Sequence, residues 1–391
     1  MNNTAYAVVF VAAFVTTIVT TPIVRRLAIR RGLLVRPSER SVHERPMPNI
    51  GGIAMIAGVM VGMLVAALLS DFDDVFQSST APLGIVVAAA VIFCVGLLDD
   101  VRKVHGEGVS APAKLAGIVL AGGILSLAGV STIFFRVPFL GIFSLTPDLS
   151  AFLTVLWVVG MANAINLIDG LDGLAAGITA IAAGSFFLYG VRLDDVGVLA
   201  SGNIGPLVAI ITLAVCLGFL PFNFRASHII MGDSGALLLG LLMASSTIAV
   251  GGSTDTEYSG QSFFFFAPLF IPLVILGVPM IDTAFAIVRR ASKRAGVATA
   301  DKEHLHHRLM RLGHGPRRSV LILWAWTALL SGLVLYPTYT GRGDAIVPIG
   351  IAGLALLLFT IFHPGARQAR TNGNGDPGDE AEPLATVGSD H

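Results

Sequence analysis

The chain has 391 residues, 54% of them hydrophobic and only 13% charged, with a formal net charge of zero. A water-soluble protein of this size carries about 25% charged residues, so a soluble globular fold is excluded. Apolar runs of roughly 17–25 residues without strict alternation exclude a barrel and point to membrane-spanning helices.

In chain order, eleven spans are expected at 5–24, 50–70, 83–98, 111–130, 150–167, 174–191, 197–220, 235–251, 263–287, 319–338 and 344–362. The fold class is therefore all-α, a polytopic integral membrane protein. The N-terminus lacks the basic region of a cleavable signal, and the first apolar run continues to Val24, so it reads as a retained span. Residues 1–363 read as one membrane domain, and the polar tail 364–391 as disordered. The stretch Phe134–Phe143 fits either a short hairpin or an interfacial lid. Cys94 and Cys216 lie inside apolar runs and read as small buried side chains, with no disulfide framework and no Cys/His zinc spacing.

Lysine and arginine orient the spans. With alternating loops, one face receives seven basic residues in 25–49, three in 99–114, Arg225, nine in 288–318, and Arg367 with Arg370. The other face receives Arg136, Arg192 and Arg342. So lopsided a split places the N-terminus outside and the C-terminus in the cytoplasm.

Polar clusters recur on that basic face. The first loop, Ser41–Gly52, is stiffened by two prolines, and its His43 and Arg45 can hold an anion. Asp99-Asp100 closes the third span. Adjacent carboxylates at a helix C-terminus require a counter-charge, from a divalent cation or from neighbouring lysines. In Asn163-Ala-Ile-Asn-Leu-Ile-Asp-Gly-Leu-Asp-Gly-Leu174, helical spacing would put Asn166, Asp169 and Asp172 on one face. Pro221–Gly235 ends in Met-Gly-Asp-Ser-Gly, where Asp233 or Ser234 would cap the next helix or meet a metal phosphate. The last inner loop holds His304-Leu-His-His-Arg308, which suits phosphate better than zinc because no cysteine or suitably spaced carboxylate accompanies it. Each cluster alone could be a solvated loop. Together, acids for Mg²⁺ beside bases for phosphate form the inventory of phosphoryl transfer.

The motifs Pro48-Asn-Ile-Gly-Gly52, Gly96-Leu-Leu-Asp-Asp100, Asn163–Gly173, Met231-Gly-Asp-Ser-Gly235 and His304-Leu-His-His-Arg308 resemble those of the polyprenyl-phosphate N-acetylhexosamine-1-phosphate transferases. The resemblance covers spans 2 to 10. It implies transfer of a sugar-1-phosphate from a UDP-N-acetylhexosamine to polyprenyl phosphate with release of UMP, at the cytoplasmic face of a bacterial plasma membrane. It implies Mg²⁺, with Mn²⁺ as a substitute. Asp233 then resembles the main metal ligand, with Asp169 beside it. Asp99 and Asp100 resemble the acidic pair near the transferring phosphate, one of them a base or nucleophile. Asp169 is grouped with them as catalytic. His43, Asn49, Lys114, Asn166, Asp172, Asn223, His304, His306, His307 and Arg308 are the implied substrate-binding set. The His-Leu-His-His-Arg pattern resembles the UDP-GlcNAc enzymes, whereas the UDP-MurNAc-pentapeptide branch tends to show three consecutive histidines. Ile118 departs from the family, standing where a glutamine is expected. No nucleic-acid partner is expected, and a homodimer is compatible with the pattern.

Two rivals are weighed. Asp169–Ala176 resembles the start of the CDP-alcohol phosphotransferase signature, but Gly177 replaces its arginine. A secondary transporter would place ionisable groups near the bilayer midplane, where only Asp282 falls.

Overall fold

The computed structural model describes residues 3–35, 45–132, 134–137, 141–224, 227–251, 277, 309–310, 314–341 and 346–362. These form α1 (Asn3–Arg30), β1 (Leu34–Val35), β2 (Met47–Pro48), α2 (Gly52–Ala67), a 3₁₀ turn at Ser70–Phe72, α3 (Asp73–Gln77), α4 (Ala81–Val104) and α5 (Ala111–Leu127). Then follow β3 (Phe134–Val137), β4 (Gly141–Ser144), α6 (Pro147–Ile168), α7 (Leu174–Asp195), α8 (Gly205–Asn223) and α9 (Gly232–Gly251). The last two are α10 (Gly315–Thr340) and α11 (Ile346–Phe362).

Among the described residues, α1, α4, α6, α7, α8, α9 and α10 are long and apolar enough to cross a membrane. Helix α2 turns by 92° into the Ser70–Gln77 segment, where Asp71, Asp73 and Asp74 interrupt the apolar run. The apolar helices at 111–127 and 347–360 are shorter. The expected span 263–287, Asp282 within it, and the tail 364–391 lie outside the described residues.

Prolines in the first turn open α4, α5, α6, α8 and α10, where a missing N–H costs nothing. The Thr146 hydroxyl also caps α6 by accepting from the Leu149 N–H at 3.4 Å. Of the two readings of the stretch 134–143, its described residues fit the hairpin, with β3 and β4 antiparallel and Arg136 opposite Ile142. The β1–β2 pair brings Met47–Pro48 back beside the end of α1.

Helix α9 is the axis of the bundle. All of Gly232–Gly251 is buried, packed by α4, α6, α8 and α2. Small residues let the backbones meet: a Cβ on Gly240 would lie 2.8 Å from the Ala162 nitrogen on α6. Helix α1, by contrast, exposes Val11, Val15, Val19 and Ile23 on one side. Cys216 is buried as expected, but Cys94 is exposed on α4. An apolar run does not reveal which of its faces turns outward to lipid, and Cys94 lies on that face. Ile118 is buried on α5, packed into the core as an apolar side chain.

Candidate active site

The site forms where the C-terminal ends of α4, α6 and α8 meet the N-terminal ends of α2, α5, α7 and α9. Its floor is a backbone clasp between the loop before α2 and the loop before α9. The Ile230 N–H donates to Pro48 O at 2.9 Å, the Gly51 N–H to Ile230 O at 3.0 Å, and the Gly52 N–H to Met231 O at 2.9 Å. Glycine is required where these chains touch. A Cβ on Gly51 would sit 2.7 Å from Ile230 O, and one on Gly232, at φ +70°, 2.5 Å from Asn49 O. On α4, a Cβ on Gly96 would sit 2.6 Å from the Ser234 nitrogen.

Three carboxylates gather above this floor. Asp99 is almost fully buried and accepts from the Val109 N–H at 2.7 Å, from Lys103 at 2.8 Å and from Lys114 at 2.9 Å. Asp233, at the start of α9, accepts from Lys103 at 2.7 Å and from Lys114. Each lysine therefore bridges the same two acids, which answers the counter-charge that Asp99-Asp100 demanded. Asp100 has no exposed surface and meets neither lysine. Its Oδ1 accepts from the Asp233 N–H at 2.8 Å and from Asn49 Nδ2 at 3.1 Å. Its Oδ2 accepts from the Ser234 N–H at 2.9 Å and the Ser234 hydroxyl at 2.6 Å. The first turn of α9 is thus capped from α4, not by its own Asp233 or Ser234.

The opposite wall is the turn between α6 and α7. Helix α6 stops at Ile168, and Asp169, at ψ 49°, is its C-cap. The shared helical face expected for Asn166, Asp169 and Asp172 is therefore broken after Asn166, because Gly170 and Gly173 make a turn that helical spacing cannot show. Gly173, at φ +75°, opens α7. Asn223, fully engaged and buried, fastens this turn: its Oδ1 accepts from the Gly173 N–H at 3.0 Å, and its Nδ2 donates to Ile229 O at 3.1 Å. Asp172 accepts from the Ser227 N–H at 3.1 Å. Asp169 has no hydrogen bond or ion pair to any described residue. Burial pushes its carboxyl up to about 8, and the negative charges of Asp233, Asp100 and Asp172 push the same way.

The sequence profile of glycosyl transferase family 4 matches residues 82–251, the segment that contributes all these acids and both lysines. The chain is 35% identical to a decaprenyl-phosphate N-acetylglucosaminephosphotransferase of Mycolicibacterium smegmatis over 91% of its own length and 88% of the relative's. It is 36% identical to a probable undecaprenyl-phosphate N-acetylglucosaminyl 1-phosphate transferase of Bacillus subtilis, covering 81% and 80%. The chain belongs to glycosyl transferase family 4. Within it, the polyprenyl-phosphate N-acetylhexosamine-1-phosphate transferases are its group. A phospho-N-acetylmuramoyl-pentapeptide-transferase of Desulforudis audaxviator is 31% identical over 83% of this chain and 95% of the relative.

As a family 4 transferase, the protein is a multi-pass integral membrane enzyme, and its expected site residues can be located one by one. Asp99, Asp100, Lys114 and Asp233 come together. Asn166 is on the last turn of α6, and Asp169 faces the cluster as a charge without bonding to it. Asn49 and Asn223 are buried, with their amides engaged by the protein itself. His43, His304, His306, His307 and Arg308 lie outside the described residues. Lys103, expected only as a neighbouring counter-charge to the acidic pair, joins the site itself, and its spacing four residues after Asp99 on a helix is the signal for that contact. For a metal, oxygens of Asp99, Asp100 and Asp233 lie within 4.8 Å of one another, and with those of Asp100 taken by four protein donors, Asp99 and Asp233 are the pair that suits a hard divalent cation. The expected ligand Asp169 is not in that set.

Proposed function

We propose that this transferase moves N-acetylglucosamine-1-phosphate from UDP-GlcNAc to undecaprenyl or decaprenyl phosphate, releasing UMP, as a first membrane step of cell-envelope glycan synthesis. The observation that carries the reading is the interlocked set Asp99, Asp233, Lys103 and Lys114 at one end of the helix bundle. A lipid phosphate is confined to the interface and a UDP-sugar to water, so only a site at helix ends lets them meet. The names and identities of the mycobacterial and Bacillus relatives support the N-acetylglucosamine substrate over the muramoyl-pentapeptide. The 22 basic residues on the site's face against three on the other support a cytoplasmic site with the N-terminus outside.

Asp233 and Asp99 would hold Mg²⁺, which when bound offsets charge on the pyrophosphate as UMP departs. Lys103 and Lys114 hold the two acids in register and offer ammonium groups to phosphate oxygens. Asp169, bonded to no described residue and raised to about 8, is a base matched to taking a proton from the lipid phosphate near neutral pH. His43, Asn166, Asp172, His304, His306, His307 and Arg308 complete the binding set by resemblance. The test is UMP release by the detergent-purified protein with UDP-GlcNAc, undecaprenyl phosphate and Mg²⁺, with an EDTA control. UMP only with Mg²⁺ is expected. UMP from UDP-MurNAc-pentapeptide in its place would move the protein to the other branch, and none from any UDP-sugar would sink the reading.

A further inference from the structure

Two neighbouring aspartates on one helix face very different donors. Asp233 accepts two hydrogen bonds, both from the ends of long lysine side chains. Asp99 accepts three, two of them from the same lysines. Asp100 accepts four, which matches the roughly four lone-pair positions of a carboxylate. Its donors are also of another kind. Two are backbone N–H groups in the first turn of α9, one is the short hydroxyl of Ser234, and one is the buried amide of Asn49. A lysine can swing away to make room for a cation. A helix backbone cannot, because α9 is enclosed along its whole length and Gly96 and Gly232 leave no slack at its start.

We propose that Asp100 is a positioning residue: its carboxylate ties the end of α4 to the first turn of α9 and so sets where Asp233 stands, and it neither holds the cation nor enters the transfer. The acidic pair is then divided by role, with Asp99 turned to the lysines and the metal and Asp100 turned to the protein. The charge suits the place. A carboxylate near the C-terminus of its own helix is disfavoured, but here it also sits at the N-terminus of α9, where the helix dipole favours it. The proposal rests on the transferase reading for its activity assay, but not for its metal-binding assay.

The test compares wild type, Asp100→Asn, Asp100→Ala and Asp99→Asn in detergent, by UMP release against pH and by the rise in Tm that Mg²⁺ produces. Asparagine still offers an acceptor to the Asp233 N–H, but it cannot act as base, nucleophile or anionic ligand. Asp100→Asn is expected to keep kcat within about tenfold of wild type, as for a weakened helix cap. Its KM, pH profile and Mg²⁺ response should be unchanged, while Asp100→Ala loses roughly a hundredfold or more. Asp100→Asn that folds with wild-type Tm yet is as inactive as Asp99→Asn, or no longer responds to Mg²⁺, overturns the proposal. Should Asp100→Asn fail to fold, Ser234→Ala decides: kcat lowered roughly three- to tenfold with an unchanged Mg²⁺ response supports it, and wild-type kcat overturns it. If wild type releases no UMP, the functional reading fails separately, and the Mg²⁺ response of Asp100→Asn still decides this proposal. A wild type whose Tm ignores Mg²⁺ overturns both.

Discussion

The two walls of the site hold acids in opposite ways. At the α4–α9 junction, Asp99, Asp100 and Asp233 are all bonded, by lysines, backbone N–H groups, a hydroxyl and an amide. At the α6–α7 turn, the backbone is fastened just as firmly through Asn223 and Asp172, yet Asp169 itself is left without a bond to any described residue. Buried charges are retained only when paired, and an unpaired one shifts its pKa. One wall therefore spends its polar groups on holding geometry, and the other keeps a proton-exchanging group in reserve. A transferase that must place two anionic substrates in line needs both.

The largest expected effect tests the first wall. Asp233→Ala should lower UMP release by at least about 10³-fold and abolish the Mg²⁺-dependent rise in Tm, because it leaves Lys103 and Lys114 facing a single carboxylate. Next, Lys114→Ala should cost roughly 10- to 100-fold in kcat/KM, read from initial rates at varied UDP-GlcNAc. A loss no larger than that of an exposed lysine would mean the bridge is structural only.

The second wall is probed by pH. Asp169 sits at about 8 in the folded protein, against about 3.9 in an unfolded chain. Folding therefore takes up a proton between those limits, so its contribution to stability is most favourable below about pH 4 and declines as pH rises towards 8. In EDTA, the Tm of wild type should fall more steeply from pH 5 to 8 than that of Asp169→Asn. Parallel curves would show that Asp169 is paired after all. The smallest effect is expected from Asn223→Ala, which leaves the Gly173 N–H without a partner and Ile229 O with only the Ser227 hydroxyl. A loss of about 1–3 kcal/mol is expected, measured as a lower Tm with the Mg²⁺ response retained.

Much of the membrane architecture was legible in the chain because lipid imposes it. A span must be apolar and about 20 residues long, and the described helices follow the expected runs closely. What hydropathy could not tell was which helix lies at the centre. Helix α9 is no more apolar than α1, yet α9 is wholly enclosed and α1 faces outward. The exposure of Cys94 within an apolar run has the same cause. At the site, the glycines of Pro48–Gly52 and Met231–Gly235 stood out in the sequence, but their meaning, a backbone clasp, needs both loops at once. Lys103 was legible from its spacing to Asp99, whereas its second bond, to Asp233, spans 130 residues of sequence.

The chain's own residues establish that this is a membrane protein and supply the acids, bases and glycines from which its site is made. Those follow from composition and local spacing, which act along the chain. Which acid meets which donor depends on how the helices pack. Asp99 and Asp100 are adjacent and chemically identical, but successive residues of a helix point about 100° apart. That angle turns one carboxylate to two lysines and the other to the first turn of α9.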